Sequence, residues 1–150
     1  MMRWMGLDVG EKRIGIAISD PLEITAQGYM VLQRTNSFRK DLEFLCQLMS
    51  EREIDGLVIG LPKNMNGTEG PMAEKVRGFG DQLLKLVNLP IIYWDERLST
   101  GSAEKALLEA DLSRRKRRSQ IDKVAAVIIL QNFLDAKTGM NLEQKGKIPE

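Results

Sequence analysis

The sequence predicts a single mixed α/β domain with the element order β-β-β-α-β-α-β-α-α. Two observations support this order: residues 3–33 contain three strand-like segments joined by short connections, and the remainder alternates apolar runs with helical periodicity. The chain of 150 residues is long enough for one hydrophobic core, and no repeat or linker divides it. We assign residues 1–137 to the domain and 138–150 to a polar C-terminal tail.

The first three elements are predicted to form an antiparallel meander. Residues 3–8 (RWMGLD) and 13–19 (RIGIAIS) are strand-like, and the isoleucines of the second segment alternate with small residues. The short connection VGEK contains a glycine, which favours a hairpin. A weaker pattern in residues 24–33 (ITAQGYMVLQ) predicts the third strand.

The second half has the pattern of parallel strands connected by helices. Residues 55–62 (DGLVIGLP) and 90–96 (PIIYWDE) are apolar runs of strand length, and each precedes a helical segment. Two helices are predicted from apolar residues spaced four, three and four apart: Phe38, Leu42, Leu45 and Met49 in one, and Met72, Val76, Phe79 and Leu83, after Pro71, in the other. A short helix is expected over residues 102–110 and a long, buried one over 119–135.

Composition restricts the chemistry that the chain can perform. There is no histidine, which removes the usual general base and the usual zinc ligand, and the single cysteine, Cys46, cannot form an intramolecular disulfide. Carboxylates, lysines and hydroxyls are left as reactive groups. No segment has the pattern of a secretion signal or a membrane span, and we expect a cytoplasmic protein with no membrane partner.

Three acidic positions interrupt otherwise apolar patterns. Asp8 ends the first predicted strand, and Asp95 and Glu96 end the last one. Asp122 shares a helical stripe, at spacings of four, three and four, with Ala126, Ile129 and Phe133. Ligands of open α/β sheets bind beyond the carboxyl ends of the strands, so these acids could converge there. Clustered carboxylates without histidine or a second cysteine favour oxygen ligation of Mg²⁺ or Mn²⁺, and two such ions about 4 Å apart can promote phosphodiester hydrolysis.

Each acid also has a structural explanation. Asp8 precedes a turn and could simply form it, and either acid of the Asp95–Glu96 pair could form an ion pair with Arg97. Asp122 follows Ser119 in an S-x-x-D pattern, which is typical of a capping box at a helix start. Taken singly, these explanations are sufficient, but the joint arrangement at two strand ends and one packing face favours a shared function.

Basic residues near these acids are candidate phosphate contacts. The net charge is only +1, so an anionic partner has to be held by local clusters. The sequence RRKRR precedes the helix of Asp122 and is interpreted as a phosphate-contacting loop formed by Arg114, Arg115, Lys116, Arg117 and Arg118. Lys63 and Asn64 follow the fourth strand and are expected at the same end of the sheet. A solvated surface remains the alternative for both groups.

Four motifs together resemble the YqgF family, also called RuvX, of bacterial RNase H-like proteins. They are GLDVGEKRIGIAISD, IGLPKNMNGTEG, WDERLST and RRKRRSQIDKVAAVIILQNFLD, and the resemblance extends from Met5 to Asp135. It implies an RNase H-like fold with a five-stranded mixed sheet. It also implies a nuclease dependent on Mg²⁺ or Mn²⁺ that acts in maturation of the 5′ end of pre-16S ribosomal RNA or resolves Holliday junctions.

The resemblance also assigns roles to residues of this chain. Asp8, Glu96 and Asp122 match the family's catalytic, metal-binding acids, with Asp95 the alternative to Glu96. Related resolvases carry a further acid after the fourth strand, where this chain has Lys63 and Asn64, so the number of metal ions stays open. The expected substrate is structured RNA or branched DNA, and cutting a four-way junction would require a homodimer. Further candidate phosphate contacts are Lys12, Arg13 and Arg97.

Two other classes of function compete with a nuclease. A non-catalytic nucleic-acid-binding module would use the basic segment alone and would bind in the presence of EDTA without cleavage. Half of an actin-like ATPase is a third hypothesis, because DVGEKRIGIA resembles a phosphate-binding hairpin. The length argues against the ATPase, since the nucleotide is held between two lobes and this chain supplies one.

Overall fold

A computed structural model describes residues 1–98 and 114–147, with side chains described for 1–97 and 123–139. The predicted helix over 102–110 lies outside these residues. The strands are β1 (Trp4–Val9), β2 (Arg13–Ser19), β3 (Ala26–Gln33), β4 (Gly56–Leu61) and β5 (Ile91–Asp95). The helices are α1 (Phe38–Glu51), α2 (Pro71–Leu84) and α3 (Arg114–Lys147), with a 3₁₀ turn, Glu96–Leu98, directly after β5.

The five strands form one mixed sheet in the order β3-β2-β1-β4-β5. This confirms the five-stranded mixed sheet that the family resemblance implies. β1 pairs antiparallel with β2, which pairs antiparallel with β3, whereas β1, β4 and β5 run parallel. Leu7 marks the register, because it lies opposite Ile16 on one side and Ile59 on the other. The carboxyl ends of β1, β4 and β5 therefore meet at the same edge of the sheet.

The two faces of the sheet are covered by different helices. Met5, Leu7 and Val9 of β1 point into a core shared with α1 and α2. The alternate residues of the strands face α3 and form a second core, in which Trp4 packs edge-to-face on Phe133 at a centroid distance of 4.8 Å. Because side chains of a strand alternate between faces, Asp8 belongs to the α3 side.

Helix α3 crosses β1 at close range and runs antiparallel to it. A Cβ added to Gly6 would lie 2.8 Å from Leu130 Cβ and 3.1 Å from the carbonyl oxygen of Ala126. Further along the helix, Phe133 contacts Trp4, which precedes Gly6 in β1. The amino-terminal turns of α3 are therefore directed toward the carboxyl end of β1.

The start of α3 corrects one prediction. The sequence interpretation of Arg114–Arg118 as a loop is wrong, because this basic segment forms the first turns of the helix. Arginine and lysine are good helix formers, and no glycine or proline separates this segment from the apolar part of α3. Ser119 therefore lies inside the helix, which excludes the capping-box explanation of Asp122. The helix also continues beyond Lys137 to Lys147.

None of the helices that the structure describes has both the length and the apolar character that a membrane span requires.

The contact of α3 with β1 predicts opposite effects for two glycine substitutions. Gly6→Ala should lower the free energy of unfolding by about 1–3 kcal/mol, because the added methyl group overpacks the helix–sheet contact. Gly78→Ala, in α2, is the matched control, since no atom lies within 4 Å of its added Cβ. It should raise stability by about 0.5–1 kcal/mol through helix propensity. Urea denaturation measures both, and a Gly6→Ala protein as stable as wild type would contradict the packing described.

Candidate active site

Asp8 lies near the carboxyl end of the central strand β1, paired with Gly15 of β2. It is half-buried, and its neighbours along the strand, Leu7 and Val9, are buried on the opposite face. A charged residue is stable here only with a compensating group, since burial of a carboxylate is costly. Its position at the edge where three parallel strands end is the expected place for a ligand site.

Glu96 brings a second carboxylate to the same place. It begins the 3₁₀ turn after β5, and its side chain lies over Gly60 of the neighbouring strand β4. A Cβ added at Gly60 would lie 2.6 Å from Glu96 Oε1 and would also collide with Ile129 Cδ1. Because Gly60 has no side chain, the side chain of Glu96 can occupy the space above β4. A glycine inside a buried strand is the sequence signal that could have indicated this close approach.

The carboxyl groups of Asp8 and Glu96 interact directly. Burial, then the negative charge of Asp8 and a hydrogen bond with its side chain, raise the pKa of Glu96 to about 7, and the charge of Asp95 contributes further. Two carboxyl groups in contact share a proton when no cation is present, because their charges repel in a poorly solvated position. The pair is therefore an oxygen-rich, electronegative site at the carboxyl edge of the sheet.

Asp95 takes no part in this pair. Its carboxylate accepts hydrogen bonds from the guanidinium of Arg97, with Nη2–Oδ2 at 2.7 Å and Nε–Oδ1 at 3.1 Å. The hydrogen bond from Arg97 holds the pKa of Asp95 below its ordinary value. Of the two adjacent acids that the sequence left as alternatives, Glu96 is the one that lies beside Asp8.

Asp122 is placed by the backbone of α3. It lies one turn before Ala126, whose carbonyl oxygen approaches Gly6, and the helix runs antiparallel to β1. Asp122 therefore lies nearer than Ala126 to the carboxyl end of β1, where Asp8 is located. The residues that share its stripe, Ala126, Ile129 and Phe133, are buried against the sheet, as predicted. Among the side chains that the structure describes, which do not include Asp122, no cluster of three metal-ligating groups occurs.

The predicted phosphate contacts differ in their surroundings. Lys12 lies in the β1–β2 turn and Arg13 is the first residue of β2; both are exposed, next to the carboxyl end of β1. Lys63 is half-buried, and its charge contributes to the lowered pKa values of Asp95 and Glu69. Asn64 Nδ2 donates to Thr68 Oγ1 at 3.0 Å. Arg97, Lys63 and Asn64 thus cluster beside the acid pair, and Arg114–Arg118 lie at the amino-terminal end of α3.

The order and directions of the strands are those of an RNase H-like fold. The structure is similar to that of Thermus thermophilus RuvC in complex with a Holliday junction substrate (TM-score 0.60, 15% identity, 93% of this chain and 97% of the other). It is also similar to the yeast mitochondrial Holliday junction resolvase Ydc2 (TM-score 0.58, 11% identity, 96% and 82% covered). At these identities the similarity establishes the fold.

Sequence comparison gives the family. Residues 2–136 match the family described as RuvX, Holliday junction resolvase. A protein of Heliobacterium modesticaldum named "Putative pre-16S rRNA nuclease" is 50% identical over 146 residues, covering 97% of both chains. A protein of the same name from Syntrophomonas wolfei is 55% identical over 134 residues, covering 89% of this chain and 94% of the relative. The chain belongs to the RuvX family and is a phosphodiester-hydrolysing nuclease.

The contact between Asp8 and Glu96 predicts that the folded, metal-free protein becomes less stable as the pH rises. The pKa of Glu96 is raised from 4.5 to about 7 in the folded state, so the stability that its protonated form contributes below pH 4.5 is lost as the pH rises through 7. In EDTA, Glu96→Gln should therefore melt at a higher temperature than wild type at pH 8 and at nearly the same temperature at pH 5.

Asp95→Asn is the matched control for this experiment. Its pKa is lowered by Arg97, so neutralising Asp95 should lower the Tm at pH 8. A Glu96→Gln protein that is no more stable than wild type at pH 8 would mean that the two carboxyl groups do not repel each other in solution.

Proposed function

We propose that the protein is a divalent-metal-dependent endonuclease in which Asp8, Glu96 and Asp122 hold Mg²⁺ or Mn²⁺. The observation that carries this proposal is the direct contact of the Asp8 and Glu96 carboxyl groups at the carboxyl edge of the sheet. Two oxygen donors that repel each other in a poorly solvated position are stabilised by a cation between them. Asp122 is assigned the third ligand position because α3 directs its first turns to this edge.

The residues present fit such an ion. The chain has no histidine, and its single cysteine, Cys46, lies on α1, which covers the opposite face of the sheet. All available donors near Asp8 are therefore oxygens, which suit Mg²⁺ and Mn²⁺ better than zinc. A divalent ion bound there supplies an activated water and charge stabilisation for the leaving oxygen. Lys63 and Asn64 stand where related resolvases have another acid, so three carboxylates are the proposed ligand set for one ion or two.

The cations around the site are proposed to hold the nucleic acid. Lys12 and Arg13 lie at the β1–β2 connection, which follows the strand that carries Asp8, and the charge of Lys63 acts on Asp95. Arg114–Arg118 form the first turns of α3, ahead of Asp122. Phosphate contacts from several directions would orient the backbone so that one phosphodiester lies at the carboxylates. These contacts recognise the backbone and leave the substrate's sequence unspecified.

The proposed substrate is the 5′ region of the 16S ribosomal RNA precursor. Relatives that align with nine tenths or more of the chain are named "Putative pre-16S rRNA nuclease", and the choice of the 5′ end comes from the family resemblance. We infer a cytoplasmic site of action because ribosome assembly takes place there in bacteria. The second candidate is a four-way DNA junction, favoured by the description of the family as Holliday junction resolvases. That activity would require two protomers with their sites at the spacing of the two cut strands.

Replacement of the central acid tests the catalytic assignment. Asp8→Asn preserves shape but removes a ligand charge, so cleavage of precursor RNA or of the junction should fall by at least about 100-fold in Mg²⁺ or Mn²⁺, while the fold and binding are retained. Gel assays with both substrates, with EDTA as the blank, give the result. Glu43→Gln, an exposed change on α1, should cut like wild type.

Full activity in Asp8→Asn would overturn the metal-site assignment. Binding of both substrates by wild type without any cutting in Mg²⁺ or Mn²⁺ would instead favour the non-catalytic binding module.

The basic start of α3 can be tested through salt dependence. Replacing Arg114, Arg115, Lys116, Arg117 and Arg118 with glutamine retains helix propensity and removes five charges. RNA binding should weaken, and the slope of log K against log salt should become shallower by about 0.7 for each phosphate interaction that the substitutions remove. Fluorescence anisotropy at several salt concentrations measures the slope. An unchanged slope would show that this segment does not contact the nucleic acid.

A further inference from the structure

A cavity of about 370 Å³ opens beside the β1–β2 connection, on the face of the sheet opposite to Asp8. Val9, the residue after Asp8 in β1, lines it together with Phe79 of α2, and both belong to the core that α1 and α2 cover. Phe38, the first residue of α1, also lines the cavity and is 41% exposed. We call this cavity, which Arg34 lines as well, the Phe38 pocket. Its volume lies within the range of ligand-binding sites, roughly 300–1,000 Å³.

The walls of the pocket are flat and aromatic. The rings of Phe38 and Phe79 meet edge-to-face, with their centroids 5.8 Å apart. The guanidinium of Arg34 lies over both rings, 5.9 Å from the centroid of Phe38 and 5.5 Å from that of Phe79. Aromatic rings and arginine guanidinium groups are the surfaces on which proteins stack unpaired nucleobases. The pocket therefore suits a planar aromatic ligand.

Arg34 connects the pocket to the turn that follows Asp8. Its Nη1 donates to the carbonyl oxygen of Gly10 at 2.8 Å, and its backbone N–H donates to that of Lys12 at 2.9 Å. Its Nε lies 3.9 Å from the buried carboxylate of Asp41. Among the residues that the structure describes, Arg34 Nη2 has no hydrogen-bond acceptor. One donor of Arg34 is therefore available to a ligand, directly beside the turn that carries predicted phosphate contacts.

The charge around the pocket favours an anionic ligand. Lys75 lines the pocket and pairs with Glu11 at 3.1 Å, and both side chains are well exposed. An exposed ion pair of this kind contributes little stability, so Lys75 can exchange Glu11 for a phosphate. Glu11 is the one acid among the described residues that line the pocket, against the two cations Arg34 and Lys75. This balance complements a nucleotide better than an acidic or a neutral ligand.

From this arrangement we propose that the Phe38 pocket binds an unpaired nucleobase of the substrate, from a nucleotide close to the scissile phosphate, by stacking on Phe38 and a hydrogen bond from Arg34. The proposal rests on the nuclease function above, and it specifies the substrate as a nucleic acid with an unpaired nucleotide near its cleavage site. Asp8 and Val9 are consecutive in β1 and point to opposite faces, so the acids and the pocket lie on two sides of one strand end. A single strand that crosses this edge places a phosphate at the acids and a nearby base in the pocket.

The first test is a double-mutant cycle between the ring and the base. After wild-type cleavage has been mapped in a single-stranded 16S precursor fragment, each nucleotide near the cut is replaced in turn by an abasic one. Fluorescence anisotropy measures binding by Asp8→Asn, which holds the RNA without cutting it. One abasic position should weaken binding at least about fivefold, the loss expected for one stacked base. In Asp8→Asn combined with Phe38→Leu, the intact RNA should bind as weakly as the abasic one, and that abasic position should have no further effect.

Two further variants separate stacking from packing in the same assay. Phe38→Trp should retain tight binding and the abasic effect, because an indole ring also stacks on a base. Phe44→Leu is the matched control: Phe44 lies on the same helix, is 39% exposed and does not line the pocket. Its replacement should leave both the affinity and the abasic effect unchanged. Urea denaturation of each variant confirms that the fold is retained.

The role of Arg34 has its own readout. Arg34→Lys retains the positive charge but removes the planar group and its Nη2 donor. It should weaken binding of the intact RNA severalfold more than binding of the abasic RNA. Equal weakening of both RNAs would mean that Arg34 acts only through the β1–β2 turn, and would overturn its contact with the base.

The outcomes distinguish this inference from the proposed function. If wild type cuts and Phe38→Leu shows the same affinity and the same abasic effects as Phe38, the base pocket is wrong. A Phe38→Leu protein that changes its association state in sedimentation, with RNA binding unaltered, would assign the pocket to a second copy of the chain and also overturn the proposal. No metal-dependent cutting by wild type would overturn the proposed function, and this inference with it.

Discussion

Two carboxyl groups, those of Asp8 and Glu96, lie in contact in a poorly solvated position, and several features of the fold are needed to hold them there. The parallel pairing of β1, β4 and β5 brings their carboxyl ends to one edge. Gly60 leaves the space above β4 that Glu96 fills, and α3 closes the same face from the other side. The stability of the domain comes from the two apolar cores, which offset the repulsion that the site imposes.

The cations near the acids divide into two groups with different tasks. Arg97 and Arg77 are each held by a carboxylate, Asp95 or Glu69, and Arg97 also donates to the carbonyl oxygen of Met65 in the loop that follows β4. Lys12 and the basic residues at the start of α3 are instead the proposed phosphate contacts. Arg97 thus has a bidentate carboxylate partner of its own, and its contact with phosphate stays a prediction.

Much of this fold was predictable because its elements follow simple periodicities. The alternation in residues 13–19 predicted β2 with both of its observed bounds. The spacing from Phe38 to Met49 predicted α1 with its observed first residue. The start of α3 was missed because the five basic residues were interpreted through charge, although arginine and lysine also favour helix. The choice between Asp95 and Glu96 could not be made from the sequence. Adjacent residues at a strand end point to opposite faces, and only the tertiary contact with Asp8 distinguishes them.

The dependence of the site on α3 couples two events in folding. The helix that covers Trp4, Ala17 and Val58 also carries Asp122, the proposed third ligand. When α3 is not docked, this face of the sheet lacks the apolar side chains of the helix, and the proposed third ligand is not in place. Closure of the second core and completion of the proposed metal site are therefore one event.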